Sequence, residues 1–398
     1  MNISQRASQT EPFHALAFGR RAAELEAAGH TIIKLSIGEP DFGALPTVRA
    51  AMQEVMDGRP LPYTMPLGSP ALRQAISGFY RERHGVEVDP GRIIITVGAS
   101  GGILLALAAT IDPDDEVILA DPWYPSYLQT LQSLGGRAVA VATTPESRYQ
   151  LDATSVQTAW TARTRAVMIA TPSNPTGTSL PIDELAAICE IARTHDAWRI
   201  VDEIYLNLSD WSDDGVPPAT VLTVDPDAIV INSFSKYFGM TGWRLGWMVV
   251  PEALVPTIER LAMHWFLSAS NPVQQAALAC FTPESLAICE ERRDELVVRR
   301  RIVLDGLRAL ELPVPVVPDG AFYVYFDVSD TGLGAWEFCE RALEEAHVAL
   351  TPGKDFGEIT ADTHVRLSYA ASRDELEEGL RRLGAFLMTL PSREVVGA

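Results

Sequence analysis

Long uninterrupted apolar runs, paired cysteines and positive charge are all scarce in this 398-residue chain. The four cysteines, Cys189, Cys280, Cys289 and Cys339, form no C-x-x-C pair, and the seven histidines are scattered without an H-E-x-x-H. That removes the usual zinc and dithiol motifs, predicts no metal site, and suits reduced thiols in a cytoplasmic protein. Lys and Arg number 32 against 52 Asp and Glu, a formal charge of −20. Such an excess repels phosphate backbones and anionic lipid, so neither nucleic acid nor membrane is an expected partner. The first thirty residues carry no secretory pattern. The most apolar stretch, 93–111, is broken by Thr96, Gly98, Ser100, Gly101 and Gly102. It reads as a buried strand, a glycine turn and a helix, interrupted and with different periods on its two sides, rather than as a membrane span.

What is present is alternation. Short β-branched runs at 92–97, 116–120, 137–141, 165–170, 198–202, 228–232 and 245–250 are separated by helical patterns. Ser69-Pro70 reads as an N-cap followed by proline in the first turn. Ala71, Leu72, Ala75, Ile76 and Phe79 form an apolar face, and Gly85 ends the helix. Residues 181–194 repeat the design with Leu185, Ile188, Cys189 and Ala192. Strands alternating with helices predict an α/β fold with a mostly parallel sheet between helices, and ligands at the carboxyl ends of its strands. From about residue 252 the pattern turns to long helices, about 252–268 and 283–310, then strands near 321–328 and 365–368. This shift predicts a large domain over 46–285 and a smaller α+β domain built from 1–45 together with 286–398.

Polar clusters fall at the predicted strand ends. Ser233, Ser235 and Lys236 follow one strand, with Arg244 eight residues beyond the lysine. A lysine so placed is desolvated and becomes a plausible amine nucleophile, and two hydroxyls with an arginine suit a dianionic phosphate. Asn174 sits in the turn TPSNPTG, a sequence that alone is more often only a turn. Asp202 ends another strand and, if buried, needs a partner such as a protonated ring nitrogen or a structural cation. Gly98–Gly102, GASGG, can offer backbone N–H groups to a phosphate. It also matches G-x-S-x-G, the nucleophile elbow of serine hydrolases, with Ser100 as nucleophile and His347 or His364 as candidate base. That alternative leaves the lysine cluster and Asp202 without a role.

In chain order, SIGEPDF (36–42), YTMPLGSPALRQAI (63–76), the glycine turn, DPWYPSY (121–127), SNPTG (173–177) and DEIY (202–205) lead to SFSKYFGMTGWRLGW (233–247). PDGAFYVYFD (318–327), TPGKDFG (351–357) and VRLSYA (365–370) follow. Together these motifs resemble the aspartate-aminotransferase family, the class I/II pyridoxal-phosphate (PLP) enzymes of fold type I. The resemblance implies a transaminase that moves the amino group of an L-amino acid to a 2-oxo acid by ping-pong chemistry, in a homodimer. A β-lyase of the same fold is the alternative within the family.

By resemblance, Lys236 is the Schiff-base lysine and proton shuttle, and Asp202 pairs with the pyridinium nitrogen. Tyr205 and Asn174 bind the ring's phenolic oxygen. Tyr124 stacks on the ring, with Trp123 leaving that alignment open by one residue. Ala99, Ser100, Ser233, Ser235 and Arg244 cradle the phosphate, and Tyr63 reaches it from the neighbouring subunit. Arg366 takes the substrate α-carboxylate, with Asn174 and the backbone of Gly38 beside it. Some relatives that accept dicarboxylic acids carry a lysine in the glycine turn, where this chain has Ser100. With less positive charge there, a neutral donor such as alanine or valine is expected.

Overall fold

The computed structural model describes residues 2–8 and 10–391. Its strands in chain order are β1 (Ile33–Lys34), β2 (Ile93–Thr96), β3 (Glu116–Asp121), β4 (Arg137–Ala142), β5 (Thr164–Ala170) and β6 (Trp198–Asp202). They continue with β7 (Ile229–Ser233), β8 (Gly246–Val249), β9 (Tyr323–Asp327), β10 (Val348–Ala349), β11 (Thr351–Pro352) and β12 (His364–Ser368). Seven of them form one sheet in the order β2-β8-β7-β6-β5-β3-β4. All neighbours run parallel except β8, which is antiparallel to both β2 and β7. Every residue of β2, β7 and β8 is buried, because helices cover both faces. That is why these strands read as continuous apolar runs. The β4 edge is the exception, with every residue half-exposed or exposed.

Helix Pro70–His84 forms as its caps dictate. Ser69 Oγ accepts from the Leu72 N–H at 3.2 Å, and Gly85 closes the helix in the left-handed region. Leu72, Ile76, Phe79 and Tyr80 face inward, whereas Ala71 is exposed. One step of about 100° from Leu72 carries Ala71 off the buried stripe. Helix Ile182–Thr194 buries Leu185, Ile188, Cys189 and Ala192. The 93–111 stretch resolves into β2, a turn and helix Gly98–Thr110. Among the described residues no helix is long and apolar enough to cross a membrane.

The pattern predicted for 252–268 is shorter than expected: a 3₁₀ turn at Glu252–Leu254 and a helix over Val255–Trp265. Helix Pro283–Ala309 then leads to a three-stranded antiparallel sheet, β11-β12-β9. The N-terminal segment joins this part through β1, which pairs parallel with β10. Helix His14–Ala27 precedes β1, and its first N–H groups, those of His14 and Ala15, donate to the Asp355 carboxylate at 2.8 and 2.7 Å.

Candidate active site

The parallel strands β5 and β6, with β7, deliver their carboxyl ends to one cavity of about 370 Å³. Residues from the glycine turn, from Ser36–Glu39 and from the N-terminal helix complete its walls. Of the residues expected in the site, all but Tyr63 line this cavity.

After β7 the chain folds back on itself, and Ser233 Oγ bonds Ser235 Oγ at 2.9 Å while accepting from the Ser235 N–H at 3.0 Å. This turn presents Lys236, whose Nζ donates to the Gly38 carbonyl at 2.6 Å. Burial lowers the Lys236 amine to about 8, Arg366 and Arg244 pushing the same way against Glu39 and Asp202. An amine at that value holds a substantial neutral fraction near physiological pH, as a nucleophile requires.

Asp202 closes β6 and is 2% exposed. Its carboxylate accepts from Tyr127 Oη at 2.6 Å and from the Ile204 N–H at 3.0 Å. Burial nevertheless raises it to about 6. Across the cavity, Arg366 on β12 donates to Asn174 Oδ1 at 2.8 Å and to the Ser36 carbonyl at 2.7 Å. Its guanidinium carbon lies 4.5 Å from the Tyr323 ring centroid and 4.9 Å from that of Phe356. Its buried Nε has no partner among the described residues. Tyr205 and Tyr323 share a hydrogen bond between hydroxyls at 2.8 Å, and burial raises both phenols.

Helix Gly98–Thr110 points its N-terminus at the same cavity, and no side chain caps it. Gly98 has φ +69°, and a Cβ there would lie 2.7 Å from Arg244 Nη2. The arginine therefore rests directly on the helix start. Uncapped N–H groups, Ser100, Ser233, Ser235 and Arg244 converge as an anion cradle. At the other end Asp202, a buried carboxyl with no cation bonded to it, suits a protonated ring nitrogen, and Lys236 is a partly neutral amine. This donor set fits pyridoxal phosphate.

Of the two aromatics left open, Tyr124 lines the cavity, while Trp123 packs into the core beside it. Tyr63 is 79% exposed and lies outside this chain's cavity, on a loop held by Gln274 and Asn271. The hydrolase alternative loses its base. His364 bonds Tyr149 and Thr363, His347 packs at a tilt against His30, and neither lines the cavity.

Several groups were not anticipated. Tyr127 lay inside a recognised motif, but only folding shows that the first turn of helix Pro125–Ser133 aims it at Asp202. Phe13, Leu16 and Ile37 also line the cavity. No local signal separates them from ordinary apolar residues.

The profile of the family described as Aminotransferase class I and II matches residues 30–383. A valine–pyruvate aminotransferase of Mycobacterium tuberculosis is 38% identical over 377 residues, covering 94% of this chain and 96% of that protein. An aspartate/prephenate aminotransferase of Thermus thermophilus is 35% identical over 391 residues, covering 97% and 98%. The crystal structure of an aminotransferase from Mycobacterium tuberculosis superposes with a TM-score of 0.93 at 37% identity, covering 98% of this chain and 100% of that one.

Proposed function

The chain belongs to the class I and II aminotransferases, enzymes dependent on pyridoxal phosphate, and from that premise we propose the roles of its residues and the class of its substrates. Pyridoxal phosphate, when bound, supplies a carbonyl carbon for the amine and an electron-poor ring that stabilises negative charge at the substrate α-carbon. Ser100, Ser233, Ser235, Arg244 and the N–H groups from Ala99 onward hold the phosphate. Asp202, held by Tyr127, keeps a proton on the ring nitrogen. Tyr205 and Asn174 hold the phenolic oxygen, and Tyr124 covers the ring face. Lys236 anchors the group and, once released, moves the proton at the substrate α-carbon. Arg366 binds the α-carboxylate through a planar fork that lysine cannot reproduce, with Gly38 beside it.

The inventory of charge in the cavity carries the substrate reading. Its lining cations are Lys236, Arg244 and Arg366, and each already has a role in this scheme. The remaining wall offers Phe13, Leu16 and Ile37, with the Glu39 carboxylate beside them. Among the described residues a second substrate carboxylate meets no free cation there, and Glu39 repels it. Donor and acceptor occupy one site in turn, so the same wall selects both. The proposed reaction takes a neutral L-amino acid such as alanine or valine and a monocarboxylic 2-oxo acid. Valine and pyruvate are the pair in the name of the M. tuberculosis relative.

We also assign a homodimer. Tyr63 is too exposed for its own cavity and is free to serve a second copy. Met65 on the same loop and Trp265 and Leu267 just before helix Asn271–Ala277 are exposed apolar groups that a partner would cover. The four cysteines are free and buried, which fits a reducing cytoplasm. Residues 46–285 are taken as the cofactor-holding domain, with 1–45 and 286–398 as the smaller one.

The deciding experiment loads the protein with pyridoxal phosphate and adds single amino acids without an oxo acid, following the cofactor absorption. Alanine or valine should convert it to pyridoxamine phosphate at least about 100-fold more efficiently than aspartate, the size expected when a charge is left unpaired in a desolvated site. Aspartate or glutamate ranking first would refute the substrate reading. Ammonia and pyruvate released from a donor with a β leaving group, such as cysteine, with the cofactor unchanged would mean a β-lyase.

A further inference from the structure

Away from the groups that touch substrate, one buried carboxylate joins two walls of the cavity. Asp121 is the last residue of β3 and is 2% exposed. Its Oδ2 accepts the backbone N–H of Glu358 at 2.8 Å and that of Ile359 at 3.4 Å. Its Oδ1 has no hydrogen-bond partner and sits against Gly357, where an added Cβ would stand 2.1 Å away. Gly357 also has φ +154°, a backbone that side chains rarely adopt. Two residues beyond Asp121, the Trp123 N–H donates to the Phe356 carbonyl at 2.6 Å. Phe356 is fully buried and lays its ring against the Arg366 guanidinium. Tyr124, the next residue after Trp123, lines the cavity.

We propose that Asp121 is a positioning residue that locks loop 356–359 onto the end of β3, so that Phe356 holds Arg366 in its carboxylate-binding orientation. The physical argument is preorganisation. A guanidinium whose flanking ring is fixed has already lost the rotational freedom that binding would otherwise remove. Without the clamp the loop relaxes, and part of that cost falls on every substrate carboxylate. Donor and acceptor should suffer alike, because both use Arg366. The inference rests on the reading of Arg366 given above.

The test uses the loaded enzyme with isovalerate, an unreactive carboxylate, titrated against the cofactor absorption, together with KM and kcat for the preferred donor. Asp121→Ala should lose isovalerate affinity by roughly tenfold, the scale of a hydrogen bond to a charged group, with KM rising in step. Its kcat and cofactor content should stay within about threefold, since no group touching the α-carbon is removed. Asp121→Asn should restore binding, because its amide oxygen accepts from the same N–H groups. Gly357→Ala should copy Asp121→Ala, and the double variant should be no worse than the more damaged single one, since the two act on one contact. Wild-type isovalerate affinity in folded Asp121→Ala, an Asn variant as impaired as Ala, or additive losses would overturn the proposal. If Asp121→Ala fails to fold, wild-type affinity in Gly357→Ala overturns it instead. Isovalerate affinity retained in Arg366→Ala removes the parent reading and this inference with it. Affinity lost there but kept in Asp121→Ala overturns the inference alone.

Discussion

Lys236 is a charged amine in a poor place for charge, and removing the charge should stabilise the cofactor-free protein. Burial lowers its pKa from 10.5 to about 8. The sign follows from proton counting: between those values the unfolded chain binds a proton that the folded chain has released, so stability rises with pH across that window. Below about pH 8 the penalty is fully present, and at roughly 1.4 kcal/mol per pH unit it amounts to about 3 kcal/mol. Lys236→Met keeps the apolar stem and deletes the amine. It also forfeits the 2.6 Å bond to Gly38, worth roughly 1 kcal/mol, and water in the cavity already screens part of the charge. The net gain at pH 7 is about 2 kcal/mol. With an unfolding entropy of about 2.1 cal/mol/K per residue, that is a rise in Tm of about 2 °C for 398 residues. By pH 10 the penalty falls below about 1 kcal/mol and the two Tm values should converge. Paired thermal scans of stripped protein at pH 7 and 10 supply the check. A variant that melts below wild type at pH 7, or a gap that does not close with pH, would refute the desolvation argument.

Three further outcomes are expected. Tyr127→Phe removes the 2.6 Å hydrogen bond to ionised Asp202, so that carboxyl becomes harder to ionise and the acidic limb of kcat/KM should move up by about one pH unit; an unmoved limb would dissociate Asp202 from that profile. Gly98→Ala forces a Cβ to within 2.7 Å of Arg244 Nη2 at φ +69°, and cofactor affinity should drop roughly tenfold or more in an equilibrium titration. Mixing inactive Tyr63→Ala with inactive Lys236→Ala should regenerate activity, because hybrid dimers contain one complete site; no recovery after confirmed subunit exchange would mean that Tyr63 does not cross the interface.

Much of the architecture was written locally. The seven central strands, helices 70–84 and 182–194 and the turn at Gly98 follow from β-branched runs, capping residues and glycine. The misplaced inward face of Ala71 and the shorter helix ending at Trp265 are errors of phase and boundary, where neighbouring packing outweighs local pattern. Lys236, Asp202, Asn174, Arg244 and Arg366 could be singled out because each is a costly residue at a strand end or in an ordered family motif.

The tertiary structure decided what those residues touch. Arg366 and Asn174 are 192 positions apart, and Asp121 and Glu358 are 237 apart. No periodicity carries information over such distances, because their meeting depends on how the sheets, helices and loops pack. Trp123 and Tyr124 are equivalent aromatics in sequence, and only the exit angle of β3 turns one to the core and the other to the cavity. The sequence by itself singled out a lysine and a carboxyl at strand ends and arginines within ordered motifs. Which apolar groups surround the substrate, and which buried carboxylate steadies the arginine, are properties of the packed chain, because orientation and desolvation exist only after folding.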